Sequence, residues 1–422
     1  MTERIYLSLA KMSADCKEQE YITEAFDQNW VAPLGPNVNG FEQSLEGYLN
    51  RMLVSASGAN GGLRDCGAEK YVAALSSGTA AVHLGLMGCG VGSGATGEGV
   101  DEVICQSLTF CASVNPVMYL GAKPVLVDSE EETWNMDPEL MEMAIEDRIR
   151  KTGRVPKAIV PVHLYGMPAK MDRIMAIADA YGIPVMEDSA EAMGSKYGGR
   201  PCGSFGRYGV WSFNGNKMIT TSGGGALICP DKESKQRAIF YATQAKVPTP
   251  YYQHEVMGFN YRMSNICAGI GRGQMTVLEE HIAHHRHVQQ LYEGYFGDMD
   301  GIVVHRAPDG RFESNYWLCT ILLDERLPVR GQGEAYRNAM SRTDCEPNTN
   351  VEALRLYLDG RGIESRPLWK PMHKHPLYRD VPKYENGVSE DLFRRGLCLP
   401  SGPCVTDEDV RLIVETIKEA IS

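Results

Sequence analysis

The sequence lacks the features of a membrane protein, a nucleic-acid-binding protein or a secreted protein. No segment approaches the ~18 consecutive apolar residues of a membrane helix. The net charge is −12, from 42 basic and 54 acidic residues, which argues against nucleic acid or an anionic membrane as the main partner. The N-terminal segment soon becomes charged and does not have the pattern of a signal peptide. We therefore expect a cytoplasmic protein.

Paired cysteines and a dinucleotide-binding motif are missing as well. The 12 cysteines contain no CxxC pair and fall singly within apolar segments or loops. This spacing indicates reduced thiols rather than disulfides or a zinc site. No GxGxxG motif follows the first strand with an acidic residue about 20 residues further on, which argues against a nicotinamide-dependent oxidoreductase.

The chain does contain a regular alternation of short β-rich runs and amphipathic helical patterns. This alternation indicates an α/β fold in which helices cover both faces of a mostly parallel sheet. The helical patterns cover 138–151 and 171–181. The β-rich runs are YVAAL (71–75), EVICQS (102–107), PVLVD (124–128), AIVPVH (158–163), IPVMED (183–188), GVWSF (209–213) and GALIC (225–229).

The last third of the sequence has its own helices and strands. A long helical pattern, LEEHIAHHRHVQQLYEGYF, precedes the strand pattern YWLCTILLD and the helical patterns EALRLYLDGRG and VRLIVETIKEAIS. We predict a large domain over 1–275 and a smaller C-terminal α/β domain over 276–422. Two Gly-rich stretches, 55–67 and 88–99, are expected to form surface loops.

Polar residues that directly follow a strand are the candidates for a binding site, because parallel α/β sheets bind ligands at the carboxyl ends of their strands. In SSGTAAVHLGL a helix begins after a strand, which suits phosphate binding, although an ordinary helix cap is the alternative. Asp188 either closes a turn or holds a heterocyclic nitrogen protonated. Lys217, between two apolar strands, is either a surface lysine or a desolvated, nucleophilic amine.

A phosphate-binding helix start, an aspartate at a strand end and a later lysine, in this order, are typical of a pyridoxal phosphate (PLP) site. The motifs EDSAEAMGSKYGG, SFNGNKMITTSGGGAL and GFNYRMSNICA resemble the DegT/DnrJ/EryC1/StrS family of sugar aminotransferases. NWVAPLGPNVNGFEQSLEGYL and GIESRPLWKPMHKHPLY are also similar to this family, so the resemblance covers nearly the whole chain. It implies the aspartate-aminotransferase-like fold type I.

The resemblance also implies how PLP is held. Lys217 would form the Schiff base and later shuttle a proton, and Asp188 would pair with the pyridine nitrogen. Glu191 lies where the family usually has Gln, near the ring hydroxyl, so we expect its charge to affect the spectrum or its pH dependence. The remaining implied cofactor residues are Gly78 and Thr79 with backbone amides on the phosphate, Ser212 with a hydroxyl on the phosphate, Phe110 stacked on the ring, and Asn260 from the second subunit of a homodimer with shared active sites.

The implied reaction moves the amino group of glutamate, leaving 2-oxoglutarate, to C4 of a UDP-linked 4-keto-6-deoxy-N-acetyl hexose. SRPLWKPMH is similar to the enzymes that make such bacillosamine-type precursors for polysaccharides and protein glycosylation. A GDP-linked 4-keto-6-deoxymannose, the perosamine-type substrate, is the alternative. The candidate substrate residues are Trp30, Arg262, Trp317, Arg366 and His373, of which Trp317 could instead belong to the core.

Rival interpretations of the same residues are a sugar 3-dehydratase, which carries His at the lysine position, and a PLP-binding regulator, which would need a DNA-binding module. His163 has either a cofactor-side role or a buried structural role. His281, His284 and His285 share a helix face with a spacing that could bind a metal, but no carboxylates support such a site. We predict a solvated helix face and no metal site.

Overall fold

The structure is a computed structural model of the 422-residue chain, and it describes residues 4–59, 69–92, 99–335 and 345–421. The helices are α1 Lys17–Asp27, α2 Pro36–Ala59, α3 Gly78–Gly88, α4 Asn115–Tyr119, α5 Pro138–Thr152, α6 Met171–Tyr181, α7 Lys232–Ala242, α8 Asn265–Gln274, α9 Leu278–Phe296, α10 Gln332–Ala335, α11 Thr349–Asp359, α12 Val388–Arg395 and α13 Asp407–Ile421. The strands are β1 Tyr71–Leu75, β2 Glu102–Gln106, β3 Lys123–Val127, β4 Ala158–Val160, β5 Met186–Asp188, β6 Lys196–Tyr197, β7 Arg200–Pro201, β8 Tyr208–Ser212, β9 Gly225–Cys229, β10 Ile302–Val304, β11 Phe312–Glu313, β12 Cys319–Leu323, β13 Arg366–Pro367, β14 Lys383–Tyr384 and β15 Gly396–Leu399.

A mostly parallel sheet forms the centre of the molecule. Its two halves have the strand orders β1-β9-β8-β5 and β4-β2-β3-β14. Parallel bridges from Ile159 to Val185 and from Val162 to Asp188 join the halves. Only β9 runs against its neighbours β1 and β8. Strands β2 and β9 are buried along their whole length, as expected when helices cover both faces.

A second, antiparallel sheet has the order β10-β12-β15-β13. Helices α9, α11 and α13 contribute to the hydrophobic core beside it. Pairings cross the proposed boundary at residue 275: β14 joins β3, β11 joins β6, and Ile5 bridges Ile363. The boundary therefore remains a proposal, with segments from each side completing sheets on the other.

Two further observations bear on the sequence predictions. Of the Gly-rich stretches expected to form surface loops, residues 60–68 and 93–98 lie outside the described part of the chain. No helix within the described ranges is both long and apolar enough to cross a lipid bilayer.

The direction of the strands decides where a site can form. Strands β1, β2, β5 and β8 run the same way, so their carboxyl ends meet at one edge of the sheet. The chain then continues into the start of α3, the turn at Thr109, the loop after Asp188 and the loop after Ser212. These segments contain the polar residues selected from the sequence.

Candidate active site

A cavity of about 300 Å³ lies at this edge of the sheet. Its volume is at the lower end of the range for small-molecule sites, about 300–1,000 Å³. Polar groups from four strand ends and the aromatic rings of Phe110, Trp317 and Trp369 line it. The structure brings these predicted site residues together in the cavity: Gly78, Thr79, Phe110, Asp188, Glu191, Ser212, Lys217 and Trp317.

The start of helix α3 forms one end of the cavity. Ser77 is its N-cap, with a side chain that accepts a hydrogen bond from the Ala80 N–H at 3.0 Å. The first N–H groups of a helix have no partner inside the helix and attract anions. A Cβ on Gly78 would lie 3.1 Å from the Cβ of Ser212, and a Cβ on Gly225 would lie 2.4 Å from the Gly78 nitrogen. This close-packed turn fits a phosphate group.

Asp188 is the last residue of β5 and is buried. Its Oδ2 accepts a hydrogen bond from Ser113 Oγ at 2.6 Å, and its Oδ1 accepts one from the Ala190 N–H at 3.1 Å. Because Ser113 donates to Asp188, its oxygen is available to accept from Thr109 Oγ1 at 2.8 Å. A carboxylate fixed by these donors and lining the cavity fits a protonated ring nitrogen.

Lys217 lies in the loop between β8 and β9, and its side chain is only 13% exposed. Its Nζ is 3.4 Å from Glu191 Oε1 and 4.0 Å from the centre of the Trp317 ring. A buried indole face stabilises an ammonium group at this distance. Trp317 is itself buried and donates from Nε1 to the Asn216 carbonyl at 2.6 Å. The tryptophan proposed for the substrate is therefore in contact with the lysine.

Glu191 is buried between Lys217 and the backbone of Tyr165, whose N–H donates to Glu191 Oε2 at 2.8 Å. Burial raises the pKa of the Glu191 carboxyl above its ordinary value, although the charge of Lys217 and the Tyr165 N–H oppose this change. The Asn315 amide donates to the Glu191 carbonyl at 3.0 Å and to the Met193 carbonyl at 2.9 Å. A negative charge at Glu191 is therefore costly unless Lys217 is positive.

A second, more open hollow of about 480 Å³ shares Ser76 and Gly223 with the cavity. It is lined by Asn260, Arg262 and the segment 31–33. Arg262 donates from Nη1 to the Glu42 carboxylate and, at 2.9 Å, to the Ala74 carbonyl. The guanidinium proposed for the sugar nucleotide is thus already held in a buried ion pair.

The other proposed substrate residues, Trp30, Arg366 and His373, do not line either hollow. The ring of Trp30 is exposed, beside the lining segment 31–33. Arg366 is exposed and pairs with Glu364 at 2.9 Å. His373 is buried, and its Nδ1 lies 2.7 Å from Ser107 Oγ.

His373, Glu385 and Glu390 form a group whose donor atoms could hold a metal ion. His373 Nε2 is 3.3 Å from Glu385 Oε1 and 3.7 Å from Glu390 Oε1. Lys374 Nζ already lies 2.6 Å from Glu390 Oε1, and Lys383 is 3.5 Å from Glu385. The lysines therefore balance the negative charge of the two carboxylates, and their positive charge opposes the binding of a divalent cation.

The contacts of His163 and of the α9 histidines bear on two predictions from the sequence. His163 is fully buried; its Nδ1 accepts from the Ala169 N–H, so its Nε2 donates to Glu187 at 3.0 Å. Glu187 points to the opposite face of β5 from Asp188, and His163 is not among the residues that line the cavity, so these contacts favour the structural role of His163. The predicted solvated face of α9 is wrong for His281 and His285, which are both buried.

Sequence reasoning missed Ser113, Tyr165 and Asn315. Ser113 follows the selected residue Thr109, but a short 3-10 turn, Cys111–Ser113, brings it back to Asp188. Tyr165 has the left-handed φ of 53°, and its hydroxyl accepts from the Trp369 N–H at 2.8 Å. Asn315 is far from the site in sequence, and nothing in its local pattern marks it.

Comparisons with known proteins agree with this geometry. The sequence profile of the DegT/DnrJ/EryC1/StrS aminotransferase family matches residues 13–418. The chain is 42% identical over 422 residues to the "Putative pyridoxal phosphate-dependent aminotransferase EpsN" of Bacillus subtilis (strain 168); the match covers 99% of this chain and 96% of that protein. It is 34% identical over 418 residues to the GDP-perosamine synthase of Escherichia coli O157:H7, covering 99% of each.

Among solved structures, a DegT DnrJ EryC1 StrS aminotransferase from Brucella abortus matches with a TM-score of 0.79 and 27% identity. The match covers 96% of this chain and 95% of that one. The predicted fold class, the aspartate-aminotransferase-like fold type I, is confirmed.

Proposed function

Because this chain belongs to the DegT/DnrJ/EryC1/StrS aminotransferase family and is a PLP-dependent sugar aminotransferase, we propose that it transfers the amino group of glutamate to C4 of a UDP-linked 4-keto-6-deoxy-N-acetyl hexose. One observation carries the site assignment: Lys217, Asp188 and the start of helix α3 meet in a single cavity. The product would be a UDP-linked 4-amino-4,6-dideoxy sugar for glycan biosynthesis.

Each group of cavity residues would have its own role in the transamination. PLP, when bound, supplies an electron sink for the carbon that gains or loses the amine. Lys217 would hold the cofactor through Nζ, and its amine would be the base that moves the proton at that carbon. Asp188 would keep the ring nitrogen protonated, and the Ser113 hydroxyl, which donates to Asp188 Oδ2, fixes the orientation of the carboxylate. The amides at the start of α3 and the Ser212 hydroxyl, which line the cavity, would hold the phosphate.

Substitution of Lys217 tests this assignment. We expect Lys217→Ala to lose at least about 10²- to 10⁴-fold in turnover, the contribution of a positioned acid–base group, while its circular dichroism stays that of the wild type. The wild type should have a visible absorbance band that glutamate shifts to shorter wavelength, and the variant should lack it. Lys418→Ala, on the exposed face of α13, is the control. Substantial residual turnover in Lys217→Ala would remove this lysine from the role.

The choice of the UDP-linked acceptor is supported by the segment SRPLWKPMH, from which Trp369 lines the cavity. A GDP-linked 4-keto-6-deoxymannose is the second candidate. It is favoured by the 34% identity to a GDP-perosamine synthase over 99% of both chains. Purified enzyme should be incubated with glutamate and each 4-keto sugar, and the products separated by mass spectrometry. Product from the GDP sugar alone would overturn the first choice in favour of the second.

We also propose a homodimer in which Asn260 of one subunit reaches the cofactor phosphate of the other. The resemblance to the family supports this arrangement, and within one chain Asn260 lines the open hollow that shares Ser76 and Gly223 with the cavity. Asn260 Oδ1 accepts from Gln244 Nε2 at 3.1 Å, a contact at the surface that a ligand could replace.

A further inference from the structure

Helix α9 carries two buried histidines that each make one hydrogen bond outside the helix. His281 Nδ1 lies 3.1 Å from the Met218 carbonyl, and His285 Nδ1 lies 3.2 Å from the Tyr316 carbonyl. A carbonyl oxygen only accepts, so both imidazoles donate through Nδ1–H. The two side chains are one helical turn apart and face the same side of α9.

The two carbonyls belong to residues directly beside the centre of the cavity. Met218 follows Lys217 in the chain, and Tyr316 precedes Trp317. Trp317 Nε1 donates to the Asn216 carbonyl at 2.6 Å, and its ring lies 4.0 Å from Lys217 Nζ. Contacts therefore link α9 to the loop 216–218, this loop to Trp317, and the neighbouring Tyr316 carbonyl back to α9. We call this closed set of contacts the circuit.

Two features show that this circuit is constrained. Tyr316 has a left-handed φ of 50°, which a non-glycine residue keeps only when its surroundings hold it. Burial lowers the pKa of His285 to about 3 and also lowers the pKa of His281, so both rings stay neutral at neutral pH. A neutral imidazole has one N–H, and each of these rings donates it to a backbone carbonyl.

We propose that His281 and His285 are positioning residues that hold Lys217 against the face of Trp317 and beside Glu191. Neither histidine lines the cavity, so each acts through the backbone it binds. The inference rests on the proposed role of Lys217 and does not depend on which sugar nucleotide is the acceptor.

Matched substitutions separate this role from simple packing. His281→Phe and His285→Phe keep a ring and remove the donor, whereas His281→Asn and His285→Asn place an amide N–H near the position of Nδ1. The control is His287→Phe, because His287 is on the same helix, is exposed and directs its Nε2 to the exposed Asp407, at 2.9 Å.

The first measurement uses the holoenzyme. Single turnovers with glutamate are monitored through the loss of the visible absorbance band. We expect the rate constant of this loss to be about tenfold lower in the Phe variants, because misplacing a catalytic group by less than 1 Å has effects of this size. The KM for the sugar nucleotide should stay within about twofold of the wild-type value. The Asn variants should recover most of the rate, and His287→Phe should match the wild type.

The second measurement uses the cofactor-free chain. Trinitrobenzenesulfonate should label Lys217 about tenfold faster in the Phe variants than in the wild type, because the amine is no longer held against the indole. Exposed Lys418 gives the reference rate within each sample. Equal labelling in all variants together with unchanged single-turnover rates would overturn the proposal, as would Phe and Asn variants that are equally impaired.

Two further outcomes, failure of the proposed function and failure of the variants to fold, are distinguished as follows. If the wild type shows no visible band and PLP does not protect Lys217 from labelling, the proposed function fails rather than the role of the histidines. If the Phe variants do not fold, nitrogen-15 NMR of the wild-type imidazoles decides. It should show Nδ1–H for His281 and His285, and an Nε2–H tautomer at either position would overturn the proposal.

Discussion

At the scale of single residues, the cavity places two carboxylates near one lysine and gives each carboxylate a different environment. Asp188 receives hydrogen bonds from the Ser113 hydroxyl and the Ala190 amide. Glu191 is buried, faces Lys217 Nζ and accepts one hydrogen bond from the Tyr165 N–H. Carboxylates in such different surroundings take different tasks. Asp188 suits a fixed negative charge, whereas Glu191 suits a group that gains or loses a proton with its surroundings.

The role of Asp188 predicts the effect of removing its charge without changing its shape. Asp188→Asn should lose most of the transaminase activity, about 10²-fold or more, because the ring nitrogen would no longer stay protonated. Ser113→Ala should lose less, since it removes only one hydrogen bond to the carboxylate. Steady-state rates with glutamate measure both, and near-normal activity of Asp188→Asn would remove this residue from the role.

Glu191 predicts a feature of the spectrum. Because burial raises the pKa of its carboxyl, the visible band of the wild-type holoenzyme should show a transition above the ordinary pH range of a carboxylic acid. Below that transition the carboxyl is neutral, and above it the charge faces Lys217. Glu191→Gln should abolish the transition, and Glu191→Asp should shift it. A transition that persists unchanged in Glu191→Gln belongs to another group.

The residues that sequence patterns could predict are those next to a strand end. Gly78, Asp188 and Ser212 follow directly from the order of strands and helices, and all line the cavity. Tyr165 could not be predicted in this way, since its contact with Glu191 depends on a left-handed backbone. Asn315 is 124 residues from Glu191 in the sequence and donates to the Glu191 carbonyl, a contact that only the tertiary fold creates.

At the scale of secondary-structure elements, the carboxylate of Asp128 joins the large sheet to helix α12. It directly follows β3 and is fully buried. Its Oδ1 accepts from the N–H groups of Ser129 at 2.8 Å and Ser389 at 3.1 Å. Its Oδ2 accepts from Asn386 at 3.1 Å and Gly387 at 3.0 Å. The partial positive charge at the start of α12 further stabilises this anion.

We expect Asp128→Asn to reduce the free energy of unfolding by about 1–2 kcal/mol, because an amide nitrogen in place of Oδ2 leaves the partly buried N–H groups of Asn386 and Gly387 without their acceptor. Chemical denaturation measures the change. The control is Asp231→Asn at the N-cap of α7, where the exposed carboxylate accepts from the Ser234 N–H through Oδ1 at 2.7 Å. Asparagine is as good an N-cap as aspartate, so the control should change stability by less than about 0.5 kcal/mol. Equal losses in both variants would contradict the role assigned to Asp128.

The long elements were predictable because burial imposes a pattern on their sequence. Helix α6 has the predicted bounds, and each of the β-rich runs overlaps a strand. The two-residue strands β6, β7, β11, β13 and β14 were not predicted, because so few residues have no periodicity. The antiparallel direction of β9 could not be predicted from the sequence either, because a fully buried strand has the same apolar composition in either direction.

At the scale of the whole molecule, segments far apart in sequence are tied together by a stacked pair of rings. His305, just after β10, lies over Trp134 with ring centres 3.7 Å apart and an angle of 11° between the planes. Its Nε2 donates to the Glu132 carbonyl at 3.2 Å. Burial lowers the pKa of His305 from 6.5 to about 4. The folded chain therefore holds this imidazole neutral where an unfolded chain would protonate it.

This difference predicts a loss of stability in acid. Above pH 6.5 both states are neutral at His305 and it makes no pH-dependent contribution. As the pH falls from about 6.5 to about 4, only the unfolded state takes up the proton, so the free energy of unfolding declines by up to about 2 kcal/mol after allowance for the partial exposure of the ring. Below that range the effect is constant.

Denaturation curves at several pH values measure this effect, and His305→Phe is the matched variant because it keeps the stack on Trp134 without a titrating group. The decline between pH 6.5 and 4 should be smaller in His305→Phe than in the wild type by about 2 kcal/mol. Identical pH profiles for the two proteins would show that other groups dominate acid sensitivity in this range.

The proposed homodimer predicts complementation between two inactive chains. If Asn260 serves the partner's cavity, Asn260→Asp should weaken phosphate binding by placing a negative charge beside it, and Lys217→Ala should remove the cofactor lysine. In a mixed dimer, one site combines both defects and the other keeps an intact Lys217 and an intact Asn260. Random mixing of equal amounts should thus restore about a quarter of the wild-type activity, since half of the dimers are mixed and each has one working site. Activity that stays at the level of the separate variants, in a sample that light scattering shows to be dimeric and exchanging subunits, would place Asn260 in the site of its own chain.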